Sequence, residues 1–245
     1  MERQTTRQRL AALIRRAALL PITRRLAGLA LVQAVCLPGA ALAHPHMWID
    51  ARAVFEVDAA GNLTAIEQRW MFDEMFSTYA MQGVKKQKGG AYPPDKLRAM
   101  ADDWMQALGD PISHFFTRVT VDGETLKYAA PRDPAVLWDA KLQRLVLRFT
   151  LPLAKPVALS GKRADIDIYD PTYFVAYAFD APGAVTLTSS APATCKPTYR
   201  PPRQLDYATM QQLAAIPPDP DSLPDELLAI TKGLTHRIEV ACAAS

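Results

Sequence analysis

The stretch from Met47 to Val57 alternates without interruption. Met47, Ile49, Ala51, Ala53, Phe55 and Val57 fall on one side, with Trp48, Asp50, Arg52 and Glu56 on the other. A period of two cannot gather its apolar side chains into one helical stripe, so this segment is a strand with one face to bury. Ala59 to Asn62 is turn material, and Leu63 to Phe72 returns as a second strand. A β-hairpin therefore opens the fold, and whatever follows must cover its apolar face.

Two helices are predicted next. Asp73 caps the first, with Phe76, Tyr79 and Val84 as a partial apolar stripe, and it stops in the basic run Lys85 to Gly90. The second begins near Pro93-Pro94-Asp95, carries Leu97, Met100, Ala101, Trp104 and Leu108 at helical spacing, and ends at Gly109. Beyond Pro111 the pattern is again β: Ile112 to Val121, an Asp122-Gly123 turn, then Glu124 to Tyr128. This places His114 inside a strand, on the opposite face from Phe115. Leu142 to Leu151, Arg163 to Tyr169, Tyr173 to Phe179 and Ala184 to Ser189 read as further strands. Pro197 to Pro202 and Pro217 to Pro224 bracket a short helical stretch at Leu205 to Ile216. Leu227 to Ile230 is another helical turn, and His236 to Cys242 a final strand. The expected class is α+β: a mainly antiparallel β-sandwich-like core, two helices inserted after the first hairpin, and a short C-terminal helical segment. Trp48, Trp70, Trp104 and Trp138 read as packing residues.

Residues 1–43 read as a signal peptide rather than as part of that fold. Seven arginines from Arg3 to Arg25 make a basic region, Leu26 to Leu37 an apolar one, and Ala41-Leu42-Ala43 a small-x-small cleavage site. The chain as a whole carries a formal charge of +3, but residues 44–245 hold 21 basic and 24 acidic side chains. The basicity belongs to the leader, and nucleic-acid binding loses its electrostatic support. The expectation is a single periplasmic β-rich domain over 44–245, soluble after cleavage. Two cysteines remain in it, Cys195 and Cys242, and an even count in an exported chain predicts a disulfide.

Cleavage after Ala43 would expose His44 as the first residue of His44-Pro45-His46. An α-amino group and two imidazoles then lie close together, a donor set suited to Ni, Co, Zn or Cu. In an extended segment His44 and His46 share a face about 7 Å apart. Asp50 shares that face but stands about 13 Å from His46 on the same arithmetic, too far to ligate the same ion. Pro45 has no amide hydrogen, which blocks square-planar chelation through backbone nitrogens. Remaining ligands must come from elsewhere, and His114 and Asp170 are the candidates. Without a metal, His114 and His236 read most simply as structural histidines, and Asp170 as the start of a turn between strands. No Walker loop, dinucleotide fingerprint, nucleophile elbow or metalloprotease helix is present.

The pattern His-Pro-His-x-Trp-Ile-Asp at His44 to Asp50, Trp-x-Phe-Asp-Glu-x-Phe at Trp70 to Phe76, Phe149-Thr150-Leu151-Pro152-Leu153, Tyr169 to Tyr173 and the spaced cysteines together resemble a known family. It is the uncharacterised domain-of-unknown-function family 1007, which looks like the periplasmic component of an ABC-type transport system. Members often accompany nickel/cobalt-type permeases, so the resemblance implies divalent-metal transport with a membrane metal permease or ABC-type transporter as partner. His44, His46, Asp50, Asp73, Glu74, Asp170 and Tyr173 match its motif positions. Asp50, Asp73, Glu74 and Tyr173 are then expected at a partner contact. Many relatives carry an acidic loop before the second helix. Lys85 to Gly90 is basic instead, and no calcium site is expected there. The expected function is a non-enzymatic metal-binding accessory protein. The alternatives are an N-terminal-histidine copper enzyme, with His114 or His236 as the further ligand, and a metal-free interaction module of a transporter.

Overall fold

β1 (Met47–Val57) and β2 (Asn62–Phe72) form the expected hairpin, with Ile49 opposite Phe72 and Phe55 opposite Ile66. Asp58 fixes its turn, accepting hydrogen bonds from the backbone N–H groups of Ala60 and Asn62 and from the Asn62 amide. Those bonds hold the Asp58 carboxyl below its ordinary range. Gly61 completes the turn at φ +80°, where any side chain would strain the backbone. The computed structural model describes residues 45–111, 113–214 and 225–244. All of these belong to the compact unit Leu42–Ser245. Residues 1–44, which hold the expected leader and His44, lie outside the described residues, as do Ile112 and the expected Pro217 to Pro224 bracket.

The hairpin sits in the middle of the first of two sheets. Its order is β5 (Arg132–Asp139), β6 (Arg144–Ala158), β2, β1, β8 (Val175–Ala178). β9 (Val185–Leu187) pairs with β1 beyond β8, and both run parallel to β1. The second sheet is antiparallel throughout, in the order β10 (Cys195–Arg200), β11 (His236–Cys242), β7 (Arg163–Ile168), β3 (Thr117–Val121), β4 (Glu124–Thr125). Phe55, Ile66, Trp70, Leu147 and Phe149 of the first sheet join Val119, Ile166, Ile168 and Ile238 of the second in one continuous core. Each such side chain contributes roughly 1.5–3 kcal/mol relative to exposure. A buried polar chain also links the sheets. The Trp70 indole donates to Gln68 Oε1 at 3.2 Å, and Gln68 Nε2 donates to Thr117 Oγ1 at 3.1 Å.

The helices lie where expected. α1 (Glu74–Ala80) starts at Asp73, whose Oδ1 accepts from Phe76 N, and Ser77 Oγ ties it to Leu145 N of β6. α2 (Pro94–Leu108) has proline in its first turn and ends at Gly109. Its Trp104 packs on Phe72 and Phe76. α3 (Tyr207–Ala214) and α4 (Asp225–Lys232) form the C-terminal helical segment. The disulfide joins Cys195 and Cys242, directly opposed on β10 and β11.

Four expectations are corrected. His114 is not in a strand: His114, Phe115 and Phe116 form a tight turn with φ of 45°, 53° and 48°, and β3 begins only at Thr117. β5 was not among the expected strands; it carries Asp133 and Pro134, and on an edge strand Pro134 is absorbed by a register shift between Arg132 and Ala135. Pro197 to Pro202 is likewise no simple bracket, since β10 runs through Pro197 on the other sheet's edge. Trp70 is buried, and Trp104 and Trp138 pack against the core, but Trp48 is 49% exposed and not a packing residue.

Candidate functional site

β7 hands over to β8 through Tyr169 to Phe174, and four of the residues singled out by sequence, His46, His114, Asp170 and Tyr173, lie in or against this connection. Asp170 is 5% exposed. Its Oδ1 accepts from Thr172 N and Thr172 Oγ1, and its Oδ2 accepts from Val175 N. Burial pushes the Asp170 carboxyl up from its ordinary value, against the pull of these hydrogen bonds. Tyr173 closes the turn by donating its N–H to Asp170 O, and it takes a left-handed φ of 55°. A tyrosine held there stores backbone strain of order 1 kcal/mol, which the Asp170 bonds offset.

The head of β1 docks on the exit of this turn. His46 N and Met47 N both donate to Phe174 O, at 2.9 and 3.2 Å, and Met47 pairs with Val175. The His46 ring lies 4.8 Å from the Phe174 ring at an interplanar angle of 30°. From the other side, Tyr169 N donates to Phe116 O. His114 and Pro171 share the lining of a small cavity of about 20 Å³ between the two turns. The parallel β1–β8 pairing thus sets His46 and the Asp170 turn side by side, and the His114 turn meets that turn from another strand.

A cleft of about 400 Å³ opens beside the same turn, lined by Tyr169, Asp170, Tyr173, Tyr177, Arg203 and His236 among others. His236 is buried, and its Nδ1 lies 2.8 Å from the Tyr199 hydroxyl. The Tyr199 ring is stacked on it at 6°. The Tyr177 backbone is a second polar neighbour of the imidazole and favours its charged form, against the larger effect of burial. Burial lowers the His236 pKa to about 4, so the ring is neutral near pH 7. Tyr177 is 8% exposed, and its hydroxyl has no hydrogen-bond partner among the described residues. Burial and the Asp170 charge push its pKa well up. The cleft therefore offers phenol and guanidinium donors, while its carboxylate and imidazole are committed to holding the fold.

The remaining sequence candidates divide. Asp50 is exposed and paired with Arg144 at 2.6 Å. Both Asp73 oxygens are used, one by the α1 cap and one by Trp48 N at 2.9 Å. Glu74 is exposed beside Met75 and Tyr79, and Tyr173 is half-buried in the cleft. Among the described residues no three His, Cys, Asp or Glu side chains lie close enough together to hold a metal ion. Of the expected ligands, His46 is placed at the entry to the sheet, Asp170 is engaged by its own turn, and His114 sits on the turn opposite. Sequence reasoning did not single out Tyr177 or Arg203. Tyr177 is the inward residue of an alternating strand, which was legible. Arg203 reaches the cleft through the chain's return from β10, which no local pattern encodes.

Residues 29–242 match the family described as "Protein of unknown function (DUF1007)". The chain is also similar to an uncharacterized protein of Haemophilus influenzae, 27% identical over 150 residues, spanning 60% of this chain and 68% of that protein. With the match running through both sheets and the Asp170 turn, the chain belongs to the DUF1007 family.

Proposed function

We propose that this is an exported accessory protein of a membrane transport system, which binds a divalent transition metal (Ni, Co, Zn or Cu) through His44-Pro45-His46 and hands it to or from a permease. The observation that carries the reading is the anchoring of His46. A histidine in a loose terminus has no fixed neighbours. Here the His46 amide is bonded to Phe174 and its ring lies on the Phe174 ring, beside the Asp170 turn. One imidazole fixed and its partner two residues away suits a metal that is cargo, held by few ligands and released readily.

Two features support an exported location. The first 43 residues have the layout of a cleaved leader. The Cys195–Cys242 disulfide suits an oxidising compartment, of which the periplasm is one. Among the described residues no helix is long and apolar enough to cross a membrane. The copper-enzyme alternative draws less support, because His236, one of its two possible further ligands, spends its ring on Tyr199 and Tyr177.

The test is calorimetric titration of Ni, Co, Zn and Cu into the protein beginning at His44, beside His44→Ala and His46→Ala variants. The reading expects each variant to bind at least tenfold more weakly. Equal affinities in all three proteins would sink it.

A further inference from the structure

Three arginines stand in a row across the first sheet. Arg52 of β1 is directly opposite Arg69 of β2, and Arg69 is directly opposite Arg148 of β6. Directly opposed residues point to the same side, and strands lie about 4.8 Å apart, so the row spans roughly 10 Å. That side is the outer one: Trp48, Asp50 and Arg52 are exposed while Ile49, Ala51 and Ala53 are buried.

Like charges directly opposed destabilise a sheet, and this sheet leaves them uncompensated. Among the described residues, none of the three guanidinium groups forms an ion pair within 4 Å. The neighbouring Arg132 and Arg144 on the same face do, with Glu56 and Asp50. The nearest remaining carboxylate of the face, Glu67, sits two residues along β2 from Arg69, opposite Val54 and Thr150, and among the described residues it forms no ion pair within 4 Å either. The row therefore carries an excess of positive charge on a chain whose residues 44–245 are acidic on balance.

Apolar groups flank it. Leu137 is 46% exposed and opposite Val146, two residues along β6 from Arg148. Trp48, half exposed, lies about 13 Å along β1 from Arg52. β1, β2 and β6 are interior strands, so the patch has no free edge on which a peptide strand could add. Guanidinium groups pair bidentately with phosphate, and an amphipathic indole and a leucine on the same face suit the boundary between headgroups and acyl chains.

We propose that this face docks on a membrane surface through the phosphates of anionic phospholipids, with Arg52, Arg69 and Arg148 as the phosphate-binding groups. Cationic residues at such a surface are worth about fivefold in affinity each, so three give roughly a hundredfold. The proposal is independent of the metal reading.

The test is co-sedimentation with vesicles of phosphatidylcholine containing 30 mol% phosphatidylglycerol (about a third anionic lipid). It uses the protein as purified, its first residue read by mass spectrometry and matched between variants. Wild type is expected to bind these vesicles at low salt and not pure phosphatidylcholine. The variant Arg52→Gln/Arg69→Gln/Arg148→Gln is expected to bind roughly a hundredfold more weakly, and Arg200→Gln, on the other sheet, like wild type. Removing opposed like charges should leave the melting temperature equal or higher, so lost binding cannot be mistaken for lost folding. Single Arg69→Gln, expected about fivefold weaker, keeps the test open if the triple variant does not fold. Equal vesicle binding by wild type and triple variant overturns the proposal. So does wild type binding soluble poly-glutamate but no vesicles, which would assign the row to an acidic protein partner.

Discussion

Acidification from pH 7.5 to 4 should weaken the fold through one side chain, His236. In the native protein the ring is buried, bonded to Tyr199 Oη and the Tyr177 backbone, and its pKa is lowered from 6.5 to about 4 by burial, with the Asp180 charge opposing. Above pH 7 the ring is neutral folded or unfolded, and no free energy is at stake. Between pH 6.5 and 4 the unfolded chain binds a proton that the native state refuses, so stability falls as pH falls through this window. At about 1.4 kcal/mol per unit, the whole loss is on the order of 3 kcal/mol, complete near pH 4. Asp170 works the other way, since its raised pKa favours the native state on acidification, but it is present in both proteins compared. The assay is urea unfolding by tryptophan fluorescence at four pH values across the window, for wild type and His236→Gln. The gap between the two should change by about 3 kcal/mol from pH 7.5 to pH 4, with wild type losing stability relative to the variant as pH falls. Parallel curves, or a native-state imidazole signal from His236 titrating near pH 6.5 by NMR, would refute the reasoning.

Three further outcomes follow from the structure. Gln68→Leu should cost about 1–3 kcal/mol in denaturant unfolding, because the buried Trp70 N–H and Thr117 hydroxyl each lose a partner. Asp170→Ala should cost about 2–3 kcal/mol and Asp170→Asn less, since the amide oxygen can still accept from one of the Thr172 and Val175 N–H groups. Replacing both cysteines with alanine opens a closure 47 residues apart and should cost up to about 4 kcal/mol, with wild type falling to the same level in reductant.

The parts of the fold that were legible are those in which local chemistry and burial agree. Met47 to Val57 could only be a one-faced strand, Asp73 and Pro94 mark helix starts by the physics of capping, and Cys195 and Cys242 are the two cysteines left once residues 1–43 are read as a leader. What escaped depends on position in the sheet. Pro134 and Pro197 break an interior strand but not an edge strand, and edge status is a property of the assembled sheet. His114 was misplaced because three successive left-handed residues look, by alternation alone, like the start of a strand. The candidate site was legible as separate pieces: His46 and Asp170 stood out by residue type and neighbours, and Tyr173 through the family resemblance. Their meeting depends on β8 running parallel to β1, a pairing between segments far apart in sequence that no local period encodes. The arginine row is invisible for the same reason, since it exists only in the register of three strands.

The central claim is that the chain leaves the cell interior, begins at His44 and carries a transition metal there. Mass spectrometry of the protein recovered from the periplasm of an expressing cell, first denatured and then native, measures the terminus and the bound ion together. The account predicts a first residue of His44 and a native mass raised by one Ni, Co, Zn or Cu, lost when His46 is replaced by alanine. A protein retained with residues 1–43 attached, or one cut at His44 whose bound metal survives His46→Ala, would contradict it.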